Sequence, residues 1–195
     1  AMCSGGAVLT ISGRGLQPAF NREALCCARL HQFVNPPREQ GSGNVAGGAG
    51  EDTIDGGAGD DDIAGGAGDD TIDGSAGDDI LAGDAGDDTI DGGAGDDIAV
   101  FAGSQADYTF ESSADGLTIT VRHVADGYAD TVTQVETLRF DDGDIAVTHD
   151  GNSLVLAGSG STDTIKIVGS VAVRVEGMSG ADTLYGGAAA DTLSG

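Results

Sequence analysis

Six pairs of acidic residues recur at intervals of nine: Glu51/Asp52, Asp60/Asp61, Asp69/Asp70, Asp78/Asp79, Asp87/Asp88 and Asp96/Asp97. They occupy positions five and six of a unit that runs from Gly47 to Val100 as GGAGEDTID, GGAGDDDIA, GGAGDDTID, GSAGDDILA, GDAGDDTID and GGAGDDIAV. Carboxylates and bare glycine carbonyls at this spacing offer hard oxygen donors. Calcium takes six to eight such oxygens. Zinc or copper would draw on imidazole or thiolate, and the repeated stretch contains neither. The chemistry is oxygen coordination of a hard cation. Gly at positions one and four permits backbone angles closed to other residues and lets carbonyls turn toward a shared ion.

The elements that would hold these oxygens follow from position eight. It is aliphatic in the first five copies (Ile54, Ile63, Ile72, Leu81, Ile90) and Ala99 in the sixth. One buried side chain per copy suits units that stack so that successive copies cover one another. The pattern GGxGxDxUx resembles the repeats-in-toxin (RTX) family, the haemolysin-type calcium-binding repeats. The resemblance implies an all-β fold, a right-handed parallel β-roll (a β-helix solenoid). Each copy would be a six-residue loop followed by a three-residue strand, with two copies per coil and calcium between loops stacked on one edge.

On that resemblance the position-six carboxylates of Asp52, Asp61, Asp70, Asp79, Asp88 and Asp97 are the side-chain ligands, paired two copies apart. The loop glycines Gly48, Gly50, Gly57, Gly59, Gly66, Gly68, Gly77, Gly86, Gly93 and Gly95 complete the site. About four complete calcium sites are expected, with half-sites at the two ends. The position-five acids read as solvated charge. Ser75 and Asp84 break the pattern at position two, where the carbonyl geometry is left open.

Alternate copies differ. Odd copies end Thr-Ile-Asp, whereas even copies end in small or apolar residues. One wall of the roll should therefore carry outward Thr and Asp ladders. The other, with Ala64, Ile80, Ala82, Ile98 and Val100, should need cover from this chain or a partner.

The remainder divides into three. Residues 1–46 form a leader expected to cap the first open end, with a short helix from Asn21 to about Gln32 whose stripe is Phe20, Ala24, Leu25, Ala28 and Phe33. Its adjacent Cys26 and Cys27 lack metal-ligand spacing. Residues 47–100 are the calcium-binding roll. Residues 101–150 alternate apolar and polar around Asp-Gly turns and read as an antiparallel β flank covering the second end. Its segments ADYTF, TQVETLRF and DDGDIAV resemble the β-rich stretch that follows RTX arrays. Residues 151–195 return to a degenerate coil in which Asp182 and Asp191 keep position six, as weak calcium half-sites. His123 and His149 have no second His or Cys at ligand spacing and read as ordinary residues.

Composition narrows the partners. A net charge of -25 with 35 glycines and 4% aromatics argues against nucleic acid and anionic lipid and for bound cations. No apolar run approaches a membrane span. With so little apolar surface and so much like charge, the array is expected to be disordered without cations.

The reading is a calcium-binding module of a secreted bacterial protein that folds outside the cell. The resemblance implies export by a type I route, although no C-terminal secretion segment follows Gly195 and the chain reads as a fragment. Two alternatives stand beside it. One is a hydrolase of a small ester or acyl lactone with calcium as Lewis acid, for which neither HExxH nor GxSxG is present. The other is an adhesive or assembly protein that self-associates through coil ends or the apolar face.

Overall fold

The computed structural model describes residues 10–11, 33–34, 41–150 and 153–195. Strands β1 (Thr10–Ile11) and β2 (Phe33–Val34) form a parallel pair. The repeats then give β3 (Asn44–Ala49), β4 (Thr53–Asp55), β5 (Asp62–Ala67), β6 (Thr71–Asp73), β7 (Ile80–Ala85), β8 (Thr89–Asp91) and β9 (Ile98–Val100). Because side chains alternate along a strand, a three-residue strand sends its middle residue inward and the two beside it outward. Ile54, Ile72 and Ile90 fall in line on one wall, and Val45, Ile63, Leu81 and Ala99 on the other, all buried. The walls are parallel sheets, β4-β6-β8 and β3-β5-β7-β9. Neighbouring strands are 18 residues apart, so two copies make one coil of a parallel β-solenoid.

The two walls differ as the sequence predicts. Thr53, Thr71 and Thr89 stand in register, as do Asp55, Asp73 and Asp91. The opposite wall presents Ala64, Ala82, Ile98 and Val100 half-buried and Ile80 exposed. The first rung of that wall is laid by Asn44, Val45 and Ala46, ahead of Gly47.

A single 3₁₀ turn (Gln105–Asp107) among the described residues leads into β10 (Tyr108–Ser112), β11 (Thr118–His123), β12 (Ala129–Thr133), β13 (Thr137–Phe140), β14 (Gly143–Asp150) and β15 (Ser153–Ala157). Antiparallel pairing, expected here, joins β10-β11-β12 and β13-β14-β15. Two of these strands do more. β12 pairs parallel to β8, and β13 parallel to β9, so residues 129–140 lay a further coil directly on the array. Thr131 and Thr133 then extend the outward ladders beyond Thr89 and Asp91.

The parallel pattern resumes in β16 (Thr164–Lys166), β17 (Arg174–Glu176), β18 (Thr183–Tyr185) and β19 (Thr192–Ser194). β17 pairs parallel to β15 and β19 parallel to β17, so one wall runs through nine strands. β16 pairs with β18, and the bridge Phe110–Ile167 ties their wall to β10.

The flank supplies what the array lacks in apolar bulk. Phe140 stacks on Phe101 at 5.4 Å and meets Tyr108 at 5.1 Å and Phe110 edge-on at 6.0 Å. His123 packs on Tyr108 and pairs with Asp126 at 2.7 Å, an ordinary structural role. The helix expected from Asn21 to Gln32, with Cys26 and Cys27, lies outside the described residues. Phe33, assigned to that helix's stripe, is instead in β2, which lies against β4. Among the described residues no helix is long and apolar enough to cross a membrane.

Candidate metal centre

The six position-six aspartates are buried, each at 3% exposure or less, although a buried carboxylate ordinarily demands a partner. Part of that demand is met by the neighbouring coil. The backbone N–H of Asp52 donates to Asp70 Oδ1 at 2.7 Å, Asp70 to Asp88 at 2.8 Å, Asp61 to Asp79 at 2.8 Å and Asp79 to Asp97 at 2.8 Å. Two carboxylate ladders result, one on each edge: Asp52-Asp70-Asp88 and Asp61-Asp79-Asp97. Aspartates two copies apart, expected to share an ion, are thus neighbours in each ladder.

The second oxygen is treated differently. Oδ2 of Asp61, Asp70, Asp79, Asp88 and Asp97 is buried and accepts no hydrogen bond. Burial raises the pKa of Asp61, Asp70 and Asp97, and pushes Asp79 and Asp88 up to about 6. The neighbouring backbone N–H opposes the rise, and the carboxylates stacked above and below add to it. Stacked like charges with an unsatisfied oxygen on each call for a cation.

The loop backbone supplies further oxygens. A Cβ on Gly74 would lie 2.5 Å from Asp79 Oδ2 and 2.6 Å from the carbonyl oxygen of Gly92, and one on Gly56 would lie 2.8 Å from both Asp61 Oδ2 and the Gly74 carbonyl. Gly47 has the same neighbours, Asp52 Oδ2 and the Gly65 carbonyl. Position one is therefore glycine for space, and its backbone angles are ordinary. The positive φ expected there belongs to position two instead, and position four has it as expected. Gly48 and Gly50 are both at 113°, and Gly57, Gly59, Gly66, Gly68, Gly77, Gly86, Gly93 and Gly95 also have positive φ.

Ser75 and Asp84 keep the same hand, at 73° and 70°, so the two departures from the pattern leave the loop path unchanged. The carbonyls of Gly48, Gly50, Gly59, Gly68 and Gly77 point along the stack, at the glycine of the next coil. The position-two carbonyls of Gly57 and Ser75 accept from the amides of Ala76 and Ala94, so they also serve the backbone ladder.

Oxygens from two stacked loops thus converge around Oδ2 of Asp61, Asp70 and Asp79, with no nitrogen or sulfur donor. That set fits calcium. Among the described residues no three His, Cys, Asp or Glu side chains cluster, so any ion here relies on backbone carbonyls for most of its ligands. The position-five acids are exposed and outside the cradle. Asp60, Asp69 and Asp78 accept from the amides of Asp78, Asp87 and Asp96 at 3.0–3.1 Å.

The model of the RTX calcium-binding nonapeptide repeat matches four times, at residues 39–72, 65–99, 73–108 and 174–195. These segments are RTX calcium-binding repeats. Among solved structures, the extracellular lipase LipA from Serratia marcescens is similar over 74% of this chain at 24% identity, with a TM-score of 0.48. The chain spans 29% of the length of that lipase. No curated protein matches the chain.

Sequence reasoning overlooked several members of the RTX ladders. Asp88 N–H donates to Asp130 Oδ1 at 3.0 Å, and Asp97 N–H to Glu136 Oε2 at 2.8 Å, so both ladders continue into the flank. Burial pushes Asp130 up to about 7. The available signal was the acid-x-apolar triplet in Asp130-Thr131-Val132 and Glu136-Thr137-Leu138, hidden because the spacing is six rather than nine.

In the tail, Asp163 N–H donates to Asp182 Oδ1 at 3.1 Å and Val173 N–H to Asp191 Oδ1 at 3.0 Å, as in the array. Asp163 itself is buried, but it accepts from Gln105 Nε2 at 3.0 Å and from the Ser159 hydroxyl. There the protein's own donors stand where the array leaves an oxygen unsatisfied.

Proposed function

We propose that this chain is the calcium-binding β-roll module of a secreted bacterial protein, disordered at cytosolic calcium and folded by the higher calcium outside the cell. The observation that carries the reading is that Asp61, Asp70 and Asp79 are buried with Oδ2 atoms that accept no hydrogen bond and lie beside loop carbonyls. Calcium would supply the positive charge there, and the carboxylate and carbonyl oxygens would coordinate it. The chain's part is to space the carboxylates one coil apart, fix each by an amide of the neighbouring coil, and keep position one free of a side chain. Extracellular calcium modules bind at about 0.1–1 mM, which suits this division between compartments.

Asp52, Asp61, Asp70, Asp79, Asp88 and Asp97 are the side-chain ligands in this reading, with carbonyls of the loop glycines, those at positions two and four among them, completing each site. The repeats themselves give about four sites. Asp182 and Asp191 are the weaker candidates of the tail, where Asp163 is satisfied by Gln105 and Ser159 while Asp191 Oδ2 is buried without a hydrogen-bond partner. Far-UV circular dichroism in chelator and in millimolar calcium tests the reading. The β signal should develop on calcium addition, and equal β content in both conditions would refute it.

A further inference from the structure

We propose that Gln134 and Glu136 complete an additional calcium site at the seam between the array and the flank, outside the nonapeptide repeats. The proposal rests on the calcium reading of the array and deepens it. Along one edge the same oxygen cradle recurs three times. At Gly56 it is formed by Asp61 Oδ2 and the Gly74 carbonyl, and at Gly74 by Asp79 Oδ2 and the Gly92 carbonyl. At Gly92 a Cβ would lie 2.7 Å from Asp97 Oδ2, and the carbonyl above it, closer still, is that of Gln134.

Three features make the seam a built site. Asp97 is fully buried, and its Oδ2 has no hydrogen-bond partner, as at Asp61 and Asp79. Glu136 takes the rung above, accepting from Asp97 N–H at the same 2.8 Å that separates Asp79 N from Asp97 Oδ1. Gln134, at φ 49°, is in the left-handed region and turns the chain between β12 and Glu136. Only Gln134 and Val135 separate Thr133 from Glu136, where the repeat would place five residues. The Gln134 side chain is tied elsewhere, to Asp91 at 2.9 Å, leaving its carbonyl as the oxygen offered to the site.

Native mass spectrometry of the full chain in calcium, beside calorimetric titration, compares wild type with E136Q and E136D. Gln retains an oxygen that can accept from Asp97 N–H, so E136Q removes the charge and keeps the hydrogen bond. E136Q should bind one calcium fewer than wild type, and E136D should keep the full number. An unchanged count in E136Q overturns the proposal. If E136Q does not fold in calcium, E136D decides: folding with the full count supports a carboxylate-held ion at the seam, and failure of both variants overturns it by marking residue 136 as packing alone. A wild type that binds no calcium would defeat the array reading itself, an outcome distinct from either.

Discussion

Asp79 and Asp97 stand one coil apart, and the backbone N–H of the first donates to Oδ1 of the second across 2.8 Å. Each carboxylate is thereby fixed by the coil before it, while its other oxygen remains unsatisfied. A hydrogen bond from N–H to a carboxylate contributes about 1.5–3 kcal/mol, and the repulsion between stacked anions works against it. In the proposed reading a cation between the loops tips this balance toward the coil.

Replacing both Asp70 and Asp79 by Ala removes one rung from the middle of each ladder. Two charge-assisted bonds are lost, about 3–6 kcal/mol together, along with a ligand on each edge. The double variant should show no calcium-induced β signal at millimolar calcium by circular dichroism. Normal folding of this variant in calcium would contradict the stacked-loop account.

The ion-free coil should respond to pH in the opposite sense from a protein held by salt bridges. Burial lifts Asp79 and Asp88 to about 6 and Asp130 to about 7, above an unfolded value of 3.8. The folded chain therefore binds more protons than the unfolded one between about pH 4 and 7, and stability falls as pH rises through that window. In chelator, β structure should increase as pH is lowered from 7.5 to about 5, while calcium affinity weakens because protons compete for the same oxygens. A pH series of circular dichroism and calcium titrations checks both signs.

Gly74→Ala isolates the space required at position one. Gly74 has ordinary backbone angles, so the cost comes from a methyl placed 2.6 Å from the Gly92 carbonyl and 2.5 Å from Asp79 Oδ2. The variant should lose about 1–3 kcal/mol from overpacking. It should also bind at least one calcium fewer by calorimetry, because two oxygens of one cradle are pushed apart.

The two left-handed non-glycine residues of the array, Ser75 and Asp84, should behave unequally. Asp84→Gly relieves a strained backbone angle and should stabilise the calcium form by about 1 kcal/mol. Ser75→Gly relieves the same strain but loses hydroxyl bonds to Asp55 and Asp73, both at 3.1 Å, and should be near neutral. Thermal unfolding in saturating calcium compares them.

Much of the roll was legible because one residue type per position carries one job. Asp at position six, an aliphatic residue at position eight and the alternation of Thr-Ile-Asp with apolar endings gave the coil, the ladders and the two unlike walls. The coil formed by Ala129–Thr133 and Thr137–Phe140 was not legible, since its loop is cut to two residues and its second acid is Glu. Position one was assigned the wrong constraint for a related reason. A sequence shows that glycine is required, but only stacked coils reveal whether the need is a backbone angle, as at Gly48, or clearance, as at Gly74. Gln105 was invisible as a partner of Asp163 because 58 residues separate them.

The most direct test is a crystal structure grown in calcium, or with terbium in its place, and read by anomalous scattering. The account predicts peaks between stacked loops beside Oδ2 of Asp61, Asp70 and Asp79, and none beside Asp163, whose partners are Gln105 and Ser159. Peaks confined to the exposed position-five acids, or an array folded with no peak on either ladder, would contradict it.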